Sequence, residues 1–266
     1  MRVMSNRLRL VFYCALFNLL FEYSARGIRE FTNRPLFVLA LFGIYFTYFT
    51  MLEDLIVRLK LTNYQILLTA FLYGLFPTAF LTGNLFNRDI YGGIIVAGIN
   101  VGTVVIVGIL AWGVVQGMIT LYLANRLSPR DWGHPKMGRA GWALAVVYQL
   151  VVTAIAQSNP YRPRGTPLGY LLCGILVVVA AGLLFKSIRS STGQVQPFRP
   201  SRVMDLLAFG SVVVFLILGT FLAFGPTIVT SQPLNLFAVT LENIWVFLCG
   251  IAFFAYRFWK RSDVTV

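Results

Sequence analysis

The stretch IYGGIIVAGINVGTVVIVGILAWGVVQGMITLYLA, residues 90–124, carries no charged side chain over 35 positions. About 18 apolar residues already suffice to cross a bilayer as a helix. Thirty-five at ~1.5 Å each would reach ~50 Å, against a hydrocarbon layer of ~30 Å. The stretch therefore reads as one long transmembrane helix that tilts, kinks or protrudes. Two small-xxx-small pairs inside it, Gly98 with Gly102 and Gly113 with Gly117, would let neighbouring backbones approach closely. Asn100, between the first pair, reads as an amide bridging packed helices. On this reading the segment is the packing spine of an all-α, polytopic membrane bundle.

Seven further apolar runs flank it. The expected spans are Leu10–Ala25, Pro35–Leu52, Tyr64–Phe86, the spine Ile90–Ala124, Ala140–Gln157, Pro167–Phe185, Met204–Val229 and Leu236–Tyr256. Together they form a single transmembrane domain, and the connectors are too short to hold a soluble one. An interfacial amphipathic helix competes for the first segment, which is short and interrupted by Glu22. Pro77 falls near the middle of the third span and predicts a kink. The composition agrees: 58% of residues are hydrophobic, 12% are charged, and the mean hydropathy is +0.77.

The net charge of +13 invites a nucleic-acid reading, but Lys and Arg stand between apolar runs in ones, twos and threes, so no basic face forms. A topogenic role is the simpler account, with the lipid bilayer as the charged partner. With eight crossings, Arg26, Arg29, Arg34, Arg88, Arg162 and Arg164 fall on one side and the other sixteen of the 22 basic residues on the opposite side. The positive-inside rule then places both termini in the cytoplasm; a plasma (inner) membrane is the expected location. A faint likeness between FPTAFLTGNLFN, 76–87, and GPTIVTSQPLNLF, 225–237, raises a parallel repeat of four spans plus four.

Catalytic and cofactor chemistry finds little support. Cys14, Cys173 and Cys249 all fall in apolar spans without CxxC spacing, and His134 is the only histidine, so paired-histidine haem sites and HExxH zinc sites are excluded. No metal ligand set and no cofactor is evident. Glu53 and Asp54 lie beside Arg58 and Lys60 and read as a solvated ion network at the membrane surface.

The remaining chemistry gathers at Glu242, about six residues inside the last span and ~9 Å deep at helical rise. A carboxyl group at that depth is costly unless neutral, paired or facing water, which makes it the leading site candidate. Asn243 is its neighbour in sequence. Glu22 lies near the same side of the membrane with Arg26 one turn later on its face. Asn84 and Asn87, at the exit of the third span, complete the expected polar seam. Gln116, Tyr148 and Gln149 are further polar side chains within spans.

These features point first to a transport protein or permease subunit that moves a small or lipid-like solute along a seam near Glu242. Its energy would come from an ion gradient or a cytoplasmic ATPase partner. A non-catalytic subunit, bound to other membrane subunits through its glycine faces, is the alternative. A lipid-modifying enzyme, with Glu242 or Glu22 as acid or base and the outer arginines on an anionic headgroup, stands third.

Overall fold

The computed structural model describes residues 6–91, 93–133, 137–160, 162–190, 200–222, 227–228, 233–234 and 236–262. His134 and most of the second half of the suggested repeat lie outside them. Among the described residues, eight helices are long and apolar enough to cross a membrane. They are α1 (Asn6–Asn33), α2 (Pro35–Leu59), α3 (Asn63–Leu81), α4 (Val101–Leu127), α5 (Arg139–Gln157), α6 (Pro167–Ser190), α7 (Arg202–Phe221) and α8 (Leu236–Ser262).

Local signals set several boundaries. Pro35 opens α2, where its missing N–H leaves no helical bond unmade, and Lys60 closes it in the left-handed region at φ 52°. Thr62 and Gln65 cap α3 reciprocally: the Gln65 amide N–H donates to Thr62 Oγ1 at 3.4 Å and the Thr62 N–H to Gln65 Oε1 at 2.8 Å. Pro77 does not bend α3 within its α-helical part. It starts a π-helical turn, Pro77–Leu81, that finishes the span.

The spine is shorter than its uncharged text. Tyr91, Gly93, Ala97 and Gly98 all take positive φ, and the chain folds back as a small antiparallel hairpin, β1 (Ile95–Val96) with β2 (Ile99–Asn100), before α4 begins at Val101. Gly98 and Asn100 therefore lie off the helix; Gly98 still serves a close approach, against Thr166 and Gly169 at the start of α6, where an added Cβ would stand 2.5 Å from Thr166 Oγ1. Asn100 instead caps α4: its Oδ1 accepts the Thr103 N–H at 3.0 Å, and its Nδ2 donates to the Asn87 and Ile90 carbonyls at 2.8 and 2.7 Å. A helix of 27 residues already exceeds the hydrocarbon thickness at ~1.5 Å per residue, so the apolar residues before it need not cross.

Within α4, Val104–Ile119 is wound as a π-helix, and α3 is its principal neighbour. Gly113 and Gly117 do serve that contact, facing Leu67 and Ala70 of α3. A Cβ at Gly117 would stand 2.7 Å from Ala70 Cβ and 2.8 Å from the Trp112 carbonyl. Gly117→Leu is thus expected to lower stability by about 1–3 kcal/mol through overpacking, read as a lower unfolding midpoint in detergent. Gly102 meets the other expectation differently: it lies against the Tyr91 carbonyl, not against another helix.

The first segment belongs to the centre of the bundle, not to its surface. Leu10, Cys14, Ala15 and Phe17 are buried, and α1 packs on α2, α7, α8 and the end of α4. Its polar side chains are spent inside the protein, which is why the interfacial reading fails. The helix breaks only at Gly27, with φ 77° and ψ 172°. An aromatic cluster joins α2, α3 and α4, where Tyr48 stacks on Tyr73 at 3.7 Å and Trp112 packs edge-on to both. Gln149 of α5 reaches α2, donating to the Ile44 carbonyl and Thr47 Oγ1 at 2.8 Å, while Tyr148 Oη donates to the Ala40 carbonyl at 3.0 Å.

Candidate functional site

Glu242 sits on α8 near its start and is 4% exposed. Ser24 of α1 faces it, with Oγ 2.5 Å from Glu242 Oε1 and 2.6 Å from the Phe21 carbonyl oxygen. Two residues earlier on α1, Glu22 accepts from Arg26 Nε at 2.9 Å and from Tyr45 Oη of α2 at 2.6 Å. Gln116 of α4 donates to that same Tyr45 hydroxyl at 3.3 Å. Arg26 lies over the Phe37 ring, 5.0 Å from its centre. The charges of Glu22 and Arg26 both act on Glu242, so the three groups form one electrostatic site.

Tyr91 covers this end of the site from the loop before the hairpin. Its hydroxyl hydrogen-bonds Asn243 and lies within range of the Glu242 carboxyl; burial, helped by that carboxyl when ionised, pushes the phenol up to about 12. Glu242, Asn243, Glu22 and Arg26 are thus brought together. Asn84 and Asn87 are not part of this contact. The Asn84 carbonyl accepts from Thr103 Oγ1 at 3.3 Å, and Asn87 Oδ1 accepts the Asp89 N–H at 2.9 Å. With Asn100, they brace the loop that carries Tyr91. Arg162 is also committed elsewhere, donating to the Ala79 carbonyl at 2.8 Å and to Gln157 Oε1 at 2.7 Å, which satisfies the π turn of α3.

The polar groups continue along α1 away from Glu242. Asn18 donates to Thr120 Oγ1 of α4 at 3.3 Å and to the Cys14 carbonyl at 2.9 Å. Cys14 in turn feels the charges of Glu53 and Arg130 and lies in electrostatic range of Tyr48. At the start of α1, Arg7 Nη2 meets Asp54 Oδ1 at 2.8 Å. From Arg7 to Glu22 the helix rises ~22 Å, most of the hydrocarbon thickness.

Glu53 and Asp54 overturn the expected solvated network, being 1% and 0% exposed. Glu53 Oε1 accepts from Arg130 Nε at 2.7 Å, with both side chains 1% exposed. Asp54 accepts from Arg7, Arg58, the Trp142 indole at 3.0 Å and the Met137 N–H at 3.1 Å. The reason is topological: the turn after α4 brings Arg130 back over the end of α2, and the start of α5 closes over Asp54. Arg58 and Lys60 sit on the wetter side and do not supply the buried counter-charge to Glu53.

Six buried polar atoms along this file have no hydrogen-bond partner among the described residues: Arg7 Nη1, Glu53 Oε2, Arg130 Nη1 and Nη2, Asn18 Oδ1 and Tyr48 Oη. Each costs about 1–3 kcal/mol unless water or a polar ligand meets it. No group of three or more His, Cys, Asp or Glu side chains among the described residues could hold a metal ion.

The chain belongs to an uncharacterized membrane protein family, which it matches over residues 15–249. It is an integral, multi-pass membrane protein whose helices contact the lipid bilayer. No curated protein and no solved structure matches it.

Proposed function

We propose that this protein is a membrane transport protein, or the permease subunit of one, that moves a small or lipid-like polar solute along the file of polar side chains on α1. The reading places it in a plasma (inner) membrane, with Glu242, Asn243, Glu22 and Arg26 bordering the outer part of the route. One observation carries it: buried polar side chains recur on α1 and against it, and Arg7, Asn18, Tyr48, Glu53 and Arg130 each keep at least one buried polar atom with no hydrogen-bond partner among the described residues. A bundle held together only by helix contacts has no use for such a file, because each unmet group destabilises it. Glu22 and Arg26 would offer a matched acceptor and donor pair to a polar headgroup or zwitterion passing between α1, α2 and α8.

Accessibility tests this without knowledge of the solute. In a background with Cys14, Cys173 and Cys249 replaced by Ala, Asn18→Cys and Asn243→Cys are placed along the route. A small, water-soluble thiol reagent is added to sealed vesicles from either side. Both cysteines are expected to react in folded protein. Protection of both until the protein is unfolded would overturn the transport reading and leave the seam as the internal glue of a complex subunit.

A further inference from the structure

If Glu242 is ionised, Ser24 has too few hydrogens to make two full bonds. Ser24 Oγ carries one hydrogen, yet it lies 2.6 Å from the Phe21 carbonyl and 2.5 Å from Glu242 Oε1. A carbonyl oxygen and a carboxylate are both acceptors only. The single hydrogen would then be divided between two acceptors or leave one of them bare, although both contacts have the length of an undivided bond. With a proton on Glu242 both contacts become bonds: the carboxylic acid donates to Ser24 Oγ, and the serine hydroxyl donates to Phe21.

The surrounding charges point the same way. The site sets two carboxyls, Glu22 and Glu242, near one guanidinium, Arg26. Tyr91 faces it from the loop, and Tyr45 of α2 is bound to Glu22. Gln116 of α4 is uncharged, and the charged residues of α7, Arg202 and Asp205, stand at the other end of the bundle beside Tyr122 and Arg126. Protonating Glu242 leaves one anion against one cation.

We propose that Glu242 is an exchangeable proton site and that the proton is the coupling ion of the transport route, an inference that rests on the transport reading for its purpose but not for its chemistry. In the cycle, the O–H bond of Glu242 breaks and its proton leaves to water at the outer part of the route. The serine hydroxyl then turns from the Phe21 carbonyl to the carboxylate. Reprotonation reverses the turn, so occupancy by one proton decides whether α1 is tied to α8 through an acid or through an anion. Asn18, Thr120, Gln116 and Tyr45, with the Tyr48 hydroxyl, which has no hydrogen-bond partner among the described residues, supply polar footing toward the far end for the water that would carry protons there.

Infrared spectroscopy of the protein reconstituted in vesicles tests this directly. The carboxylic acid C=O band, followed against pH, should titrate, shift on exchange into heavy water, and vanish in Glu242→Gln. Glu22→Gln should retain it. Glu242→Asp, which keeps the acid and shortens the arm, should return a band at a shifted frequency. A spectrum with no acid band lost in Glu242→Gln would show Glu242 to be ionised and overturn the proposal, as would a band that neither titrates nor exchanges. The two readings fail separately: reactive cysteines at 18 and 243 with no exchangeable acid band would leave transport standing and remove the proton as its coupling ion.

Discussion

Arg130→Met is expected to destabilise the protein by about 3–5 kcal/mol, the largest loss of any single substitution at the polar file. The reason is what it leaves behind. Glu53 is 1% exposed and takes its strong bond from Arg130 Nε at 2.7 Å, so without Arg130 a carboxylate stays buried beside Cys14 with no counter-charge. The effect should appear as a drop in the unfolding midpoint in detergent. Glu53→Leu combined with Arg130→Met should recover most of it, because an apolar pair of similar volume carries no desolvation cost. Equal losses in the single and double variants would mean that packing, not charge, holds this corner. Three atoms of the pair, Glu53 Oε2 and Arg130 Nη1 and Nη2, have no hydrogen-bond partner among the described residues, which limits what the native pair contributes.

Asp54→Ala is the second large effect, expected at about 3 kcal/mol. Asp54 gathers donors from three elements: Arg7 on α1, Arg58 on its own helix, and the Met137 N–H and Trp142 indole at the entry to α5. Arg58 is half exposed and water can replace its partner, so its share is small. Arg7 is buried and has no such recourse. Beyond the stability loss, the segment leading into α5 loses two of its anchors. Trypsin should then cut at Arg139 faster than in the native protein. Asp54→Asn, which keeps one acceptor oxygen, should fall between the two; a native cleavage rate in Asp54→Ala would show that the segment is held by other contacts.

Much of the architecture was legible in the sequence, and the reason is elementary. A bilayer demands long apolar runs, and eight such runs, five of them without any charge, are visible without a structure. The boundaries were less so. Absence of charge told nothing about whether residues 90–100 wind into the helix or fold back over its end; that depended on Gly93 and Gly98 and on an asparagine whose capping partners come from the preceding loop. The site around Glu242 was half legible. Glu22 and Arg26 announce each other by spacing, and Glu242 by depth, but Ser24 and Tyr45 look like ordinary span residues until the fold sets them against the carboxyls. One signal was available and passed over: Cys14, Asn18, Glu22 and Arg26 recur every fourth residue, a polar stripe on an apolar helix. Glu53 and Asp54 misled because only Arg58 of their charged sequence neighbours pairs with them, at Asp54, while the buried partners Arg130 and Arg7 come from distant elements.

The π-wound stretch of α4 has a mechanical meaning. Sixteen residues whose hydrogen bonds skip one place further than in an α-helix hold spare backbone within the membrane. Rewinding a single turn to the tighter form lengthens the rod and spins whatever lies beyond it. Gln116 and Thr120, which touch Tyr45 and Asn18, ride on that rod. Such a turn, eased where the glycines at 113 and 117 face α3, would change the partners of both groups.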